Sequence, residues 1–329
     1  MMWDVGRQGK TAWAIIVCAG ISLGSVLCAQ AQEEASAAVP AVSNEYAGEM
    51  FGIKVPMSNY HFVKAAVMVF GNRWGKRPST SAETEDVVWE QLLLSFAAYN
   101  EGIEIDQADI DREIAKILST ERVSFDWKKD SARYEAWLKE RTGLTPAVFE
   151  GQIKHLMQIE KLRSEVLEKM DPPVTDAEVL DKFHNEHNSL SVELVQFDDE
   201  KRAQEFYRSA LKNKKFWDRE KKKKPGDFKH PGFVSLEFLI DLWGFPRDGA
   251  YAMMEAAPGS LYQPLPIYKG YAVFKVLETR KANDADFESQ KAGCAERVKG
   301  TKKYEGLKMW IANLKKQSGL VVYTKGEGA

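Results

Sequence analysis

Cysteine is nearly absent from this chain. The 329 residues hold three, Cys18, Cys28 and Cys294, and no C-x-x-C pair or cysteine–histidine cluster occurs, so neither an internal disulfide framework nor a zinc framework is expected. His184 and His187 stand three apart near a predicted helix end, a spacing open to a metal. No third ligand accompanies them, and a solvated pair accounts for them with no metal site assigned. A large net charge is also missing: 46 basic against 48 acidic residues give a formal charge of −2, which removes any bulk attraction to nucleic acid. Nothing in the sequence implies a cofactor.

A long uncharged run stands at the amino terminus. Arg7 and Lys10 precede residues 11–28, rich in Ala, Ile, Val, Leu and Gly, and Ala29, Gln30 and Ala31 supply the small-x-small exit of a signal peptidase site. Residues 1–31 are therefore read as a cleaved secretory signal, with a periplasmic product. An uncleaved inner-membrane anchor is the alternative, because eighteen apolar residues are at the edge of spanning length. Lipid attachment at Cys28 is a third option that the bulky Leu27 disfavours. Cleavage removes Asp4, Arg7 and Lys10, taking the charge to −3, and leaves Cys294 alone.

What remains is strongly punctuated. Residues 32–50 read as a flexible leader, polar and rich in Ala, Ser and Glu. Thr80 and Glu83 have capping-box spacing before a wide apolar face that Gly102 stops. Asp106 is placed to cap a helix carrying Ile110, Ile114 and Leu118. A further helix over 131–141 ends at Gly143, and Thr145 with Pro146 at the first helical position opens a long one to about Met170. Asp171, Pro172 and Pro173 break it, and Thr175 with Glu178 repeats the capping box. Beyond, the period changes: residues 191–197 read as a strand, 199–212 as a helix with Phe216 and Trp217 after it, 232–235 as a glycine then a strand, 250–257 as a short helix, and 271–279 as a last strand. A helical pattern returns from Phe287 to Leu314, followed by a short terminal strand over 319–323. Composition and period together give an α+β protein.

Two stretches carry a family resemblance. The run GSLYQPLPIYKGYAVFKVLETR over 259–280, with Gly259, Pro264 and Gly270 before the final strand, resembles the closing pattern of the parvulin (PpiC-type) peptidyl-prolyl isomerases. The helical succession over 51–188, including NEGIEIDQADIDREI, the Gly143 to Pro146 motif and PPVTDAEVLDKFHNEH, resembles the amino-terminal region of SurA-type and PrsA-type extracytoplasmic chaperones. The resemblance implies a mostly helical chaperone domain, 51–188 completed by 283–325, with a parvulin-like domain inserted at 189–282 as a four-stranded sheet wrapped by helices. It implies an ATP-independent chaperone for unfolded or proline-containing exported polypeptides, outer-membrane protein precursors among the candidates, with no nucleic-acid partner.

The isomerase site departs from the pattern. In the resembled family two histidines, on the first and last strands, form the polar network; here those positions fall at or near Glu193 and Ala272. His230, in the loop over 221–231, is the one imidazole nearby, and solvent is its simplest surrounding. The resemblance places the proline pocket at Phe233, Phe245, Met254 and Tyr271, with the second pocket aromatic falling on Gly249 or Ala250. Because loss of positioned polar groups costs about 100-fold or more in rate, a weak or inactive isomerase is expected, an active foldase being the alternative and a scaffold for one fixed partner the second alternative. The lysines at 221–224 are open to an acidic client, a lipid headgroup or plain solvent.

Overall fold

The computed structural model describes residues 45–71, 77–267 and 269–324. The expected signal and most of the leader lie outside them. In chain order the elements are β1 (Tyr46–Met50), β2 (Ile53–Pro56), α1 (Met57–Phe70), α2 (Ser81–Asn100), α3 (Gln107–Thr120), α4 (Ser131–Thr142), α5 (Pro146–Lys169) and α6 (Asp176–His187). They continue as β3 (Ser189–Phe197), α7 (Glu200–Lys212), α8 (Phe216–Lys223), β4 (Phe228–Lys229) and β5 (Phe233–Ser235), a π-helical turn at Phe238–Leu242, then α9 (Arg247–Met254), β6 (Leu261–Ile267), β7 (Gly270–Arg280), α10 (Phe287–Ser318) and β8 (Val321–Val322). The fold is α+β.

The chain divides into two compact units, one from Met1–Met170 with Tyr304–Ala329 and one from Asp171–Lys303. These limits differ from the sequence boundaries at 188 and 283, because α6 and the first half of α10 share a core in the second unit.

In the first unit β1 sits between β2 and β8. Phe51 and Gly52, at φ 54° and 71°, make the two-residue hairpin turn that a right-twisted ribbon prefers. Gly48 permits the sheet to close on α2: a Cβ there would lie 2.5 Å from the Val321 carbonyl oxygen and 2.6 Å from the Trp89 ring. Met50, Val55, Tyr60, Val63, Val67, Trp89 and Leu92 fill the core between sheet and helices. Ile110, Ile114, Leu138, Phe149 and Ile153 form a second core among α3, α4 and α5. The second half of α10 adds Trp310, Ile311 and Leu314 to Leu94, Ala98, Ile159 and Leu162, so residues far apart in sequence complete one hydrophobic interior.

Helix starts follow local chemistry. Thr175 and Glu178 form the reciprocal capping box at α6. At α2 the box is altered: Thr80 accepts from the Glu83 N–H, but the Glu83 carboxylate reaches back to the N–H and hydroxyl of Ser79. Asp106 precedes α3 in extended conformation without a side-chain capping bond.

The second unit is built on a five-stranded sheet, not four. Antiparallel β3 and β7 form its centre, β4 and β6 flank them, and β5 pairs with the other end of β3. β6 is a strand despite Pro264 and Pro266, which is tolerated because it is an edge. Gly270 turns β6 into β7 at φ +87°, and a Cβ there would stand 2.2 Å from the Phe197 carbonyl oxygen, so the motif glycine is required sterically as well as conformationally.

Candidate functional site

Side chains alternate along β3 and β7, which separates two layers. Leu190, Val192 and Leu194 join Ala272, Phe274 and Val276 on one face, under Leu236, Leu239, Phe245, Met253 and Met254. Val195 and Val273 lie on the other face with Ala203, Trp217, Phe206 and Phe228. The register pairs Gln196 with Ala272 and Glu193 with Lys275.

Glu193 and Ala272 are thus on opposite faces of the sheet. Glu193 is buried and accepts from the indole N–H of Trp217 and the ammonium of Lys221. Burial pushes its carboxyl up, but Lys221 and Trp217 outweigh that and hold it below the usual carboxylate range. The arrangement ties α8 to the sheet. Lys221, which the sequence reading put in a loop, belongs to the last turn of that helix.

Of the other expected residues, Phe245, Met254 and Ala272 do come together, with exposures of 2, 4 and 0 %. They are core. Phe245 packs edge-on to Phe274 with ring centroids 4.7 Å apart, and a Cβ on Gly249 would meet the Tyr262 hydroxyl at 3.2 Å. Tyr262 therefore occupies the space beside Gly249, one of the two positions on which the resemblance places the second pocket aromatic. Tyr271 joins the opposite layer with Val195 and Trp217. Phe233 is exposed at the β5 edge, with the Arg280 guanidinium 3.5 Å over its ring. His230 is also exposed and sets Nε2 3.2 Å from the Ser191 hydroxyl, on the Glu193 side of β3.

Among the described residues, the strand side chains on the face carrying Ala272 are Leu190, Val192, Leu194, Phe274 and Val276, all apolar. No group of three or more His, Cys, Asp or Glu able to hold a metal occurs among the described residues. His184 instead places Nε2 3.1 Å from Asp284.

Sequence reasoning missed the segment lying over that face. Ser235 accepts from the Phe238 N–H at 3.1 Å, and the Trp243 N–H reaches the Phe238 carbonyl at 3.2 Å, closing the π-helical turn. Leu236, Leu239 and Phe245 point into the core while Phe238 and Leu242 are 38 and 64 % exposed. Phe238 contacts half-buried Trp243, ring centroids 5.4 Å apart. Glu237 is fixed by Lys182 of α6, and Gly232 and Gly244, both at positive φ, bracket the segment. Such turns recur at functional sites because the widened helix re-aims side chains. The signal in the sequence is there, eight apolar residues among the eleven between Gly232 and Gly244, but its period fits neither α nor β.

The chain is similar to PrsA foldases and to SurA-like chaperones. The PrsA peptidylprolyl isomerase of Bacillus cereus is 14 % identical with a TM-score of 0.36, covering 86 % of this chain and 96 % of that one. The Bacillus anthracis PrsA is 17 % identical with a TM-score of 0.37, covering 66 and 92 %. A SurA-like chaperone structure from Campylobacter jejuni, from work on PEB4 and Cj1289, is 11 % identical with a TM-score of 0.35, covering 85 and 99 %. No family model and no curated protein matches the sequence.

Apolar side chains also reach solvent in the first unit. Met68, Tyr304 and Met309 are 52, 57 and 66 % exposed, against 4 % for Trp89. None of the described tryptophans is an exposed one. The accessible apolar surface is made of Met, Leu, Phe, Tyr and Val.

Proposed function

We propose that this chain is an ATP-independent periplasmic chaperone that binds unfolded exported polypeptides, with a parvulin-like module that is weak or inactive as an isomerase. The observation that carries the reading is the apolar turn at Phe238 and Leu242, held out over a sheet face that is sealed. Contiguous exposed apolar surface marks a site for another molecule, and Phe238 and Leu242 share one turn with Trp243 against Phe238. Flexible Met309 and Met68 suit partners of varied sequence.

Isomerisation has to lower a barrier of about 18–20 kcal/mol set by amide resonance. A site does so by seating the proline ring and twisting the amide beside positioned polar groups. Ala272, Phe245 and Met254 are filled core, and Glu193 is spent on Trp217 and Lys221 behind the sheet. Proline-containing clients, outer-membrane precursors among them, are then held rather than turned over. A cleaved signal at residues 1–31 would deliver the chain to that compartment.

The test is suppression of aggregation, followed by light scattering, for two unrelated unfolded proteins without ATP. Both are expected to stay soluble at stoichiometric chain. Phe238→Ser with Leu242→Ser is expected to require severalfold more chain for the same effect. Protection of one substrate only would indicate a dedicated partner, and no protection would refute the proposal.

A further inference from the structure

The second unit carries a concentrated positive surface outside the apolar turn on which the proposed function rests. Residues 212–230 hold nine cations, Lys212, Lys214, Lys215, Arg219, Lys221 to Lys224 and Lys229, against Asp218, Glu220 and Asp227, a local net charge of +6 in a chain of −2. The elements bearing them are drawn together by an aromatic hub. Phe206 of α7 lies 5.2 Å from Phe216 and 5.6 Å from Trp217, and Trp217 lies 5.3 Å from Phe228 of β4. The end of α7, all of α8 and β4 thereby share one anchored region, and every lysine in it is exposed.

Part of this charge has a local explanation. Lys221 pairs with Glu193, Arg219 and Lys223 pair with Glu220, and Lys229 bonds Gln196. Lys212, Lys214, Lys215, Lys222 and Lys224 have no acidic partner among the described residues. Cations in the last turn of a helix are favoured by its dipole, which covers Lys212 and Lys222. The same dipole disfavours Lys214 and Lys215, because Lys215 is the N-cap of α8 and supplies no capping bond. Stability alone would select Ser, Thr, Asp or Asn there.

The chemistry of the patch narrows the partner. Lysines are mobile point charges suited to a diffuse array of anions, whereas recognition of single phosphates or bases favours arginine forks and stacking rings. Arg219 is engaged by Glu220 and lies 5.2 Å over the Phe216 ring, and Trp217 is buried. Beside the cations Leu211 stands 55 % exposed, an aliphatic group able to enter the headgroup layer. We infer that α8 and its flanks, from Lys212 to Lys224, dock the protein on an anionic phospholipid surface. Holding the chaperone at a bilayer would raise its concentration where exported chains emerge or insert.

Vesicle co-sedimentation tests this with the chain from Gln32 onward, which keeps every described residue. It is expected to bind phosphatidylcholine vesicles containing phosphatidylglycerol, to ignore pure phosphatidylcholine, and to detach at about 1 M salt, where the screening length is about 3 Å. Each juxtamembrane lysine contributes roughly fivefold in partition. Lys214→Gln, Lys215→Gln, Lys222→Gln and Lys224→Gln combined should therefore lower binding by well over tenfold with an unchanged melting curve. A control set on the first unit, Lys116→Gln, Lys139→Gln, Lys154→Gln and Lys308→Gln, should leave it within severalfold. Equal losses from the two sets, or no preference for anionic lipid, would each overturn the inference.

Discussion

Gln196 stands directly opposite Ala272 across the central strand pair. An isomerase of the resembled type needs imidazoles on these two strands. Here the last strand presents a methyl group that is fully buried, and the amide of Gln196 is turned to the Lys269 carbonyl.

Ala272→His accordingly creates no fast isomerase. An imidazole inserted beneath Phe245 and Phe274 overpacks a filled layer, which typically costs about 1–3 kcal/mol. Adding Glu193→His gives no partner, because that side chain emerges behind the sheet. Proline-peptide exchange measured by NMR should be slow for wild type and unchanged in both variants, with a lower melting temperature for each. A wild type as fast as an ordinary parvulin would show that the face opens in solution.

Glu193 is a structural carboxylate, and its variants should separate two contributions. Glu193→Ala leaves the buried Trp217 N–H without an acceptor, a loss of about 1–3 kcal/mol. Glu193→Gln retains an acceptor and gives up only the pairing with half-exposed Lys221, so it should cost less. Because the folded carboxyl is held below its ordinary value, its stabilisation is present above the unfolded pKa and fades as pH falls through the folded one. Urea titrations at neutral and acidic pH measure both effects.

His155 gives the first unit an acid sensitivity of its own. The Ser95 hydroxyl donates to the Gln91 carbonyl at 2.8 Å and lies 3.0 Å from His155 Nδ1, while Phe62 packs edge-on to the ring. Burial holds the imidazole down at about 4. The unfolded chain binds the proton from about pH 6.5, so stability is full above that value and declines by about 2–3 kcal/mol as pH falls toward 4. His155→Phe should flatten that part of the profile in thermal melts.

Fragment limits should follow the shared core of α6 and α10. Phe183 and Val179 pack with Cys294 and Phe287, and Arg297 grips Glu186 with two bonds of 2.6 and 2.5 Å. Residues 171–303 should fold and melt cooperatively. Residues 189–282 lose Phe183, whose burial alone contributes about 1.5–3 kcal/mol, together with the Leu236 N–H bond to the Asn188 carbonyl. Circular dichroism melts of the two fragments compare them, and equal stability would place the boundary back at 189.

Much of this fold is written in local chemistry. Gly143 ends α4, Pro146 opens the long α5, and Thr175 with Glu178 starts α6, because caps and breakers act over a few residues. The sequence does not predict β6, because Pro264 and Pro266 argue against a strand and only its place at a sheet edge reconciles them. The face shown by Glu193 was not legible at all. A shift of one residue in register sends every side chain to the other side, and Ser189–Phe197 is buried on both faces over most of its length, so no alternation in the sequence settles the choice. The π-helical turn fits neither period, which is why Phe238 and Leu242 were not expected.

The client surface is tested most directly by photo-crosslinking. A photoreactive phenylalanine analogue placed at position 238 or 242, or at exposed Lys139 as a control, is irradiated with an unfolded exported polypeptide bound to the full chain. Adducts are expected from 238 and 242, competed by unlabelled client and unaffected by ATP, and few from 139. Equal yields at all three positions, or none at 238 and 242, would contradict a client surface on the apolar turn above the sealed sheet.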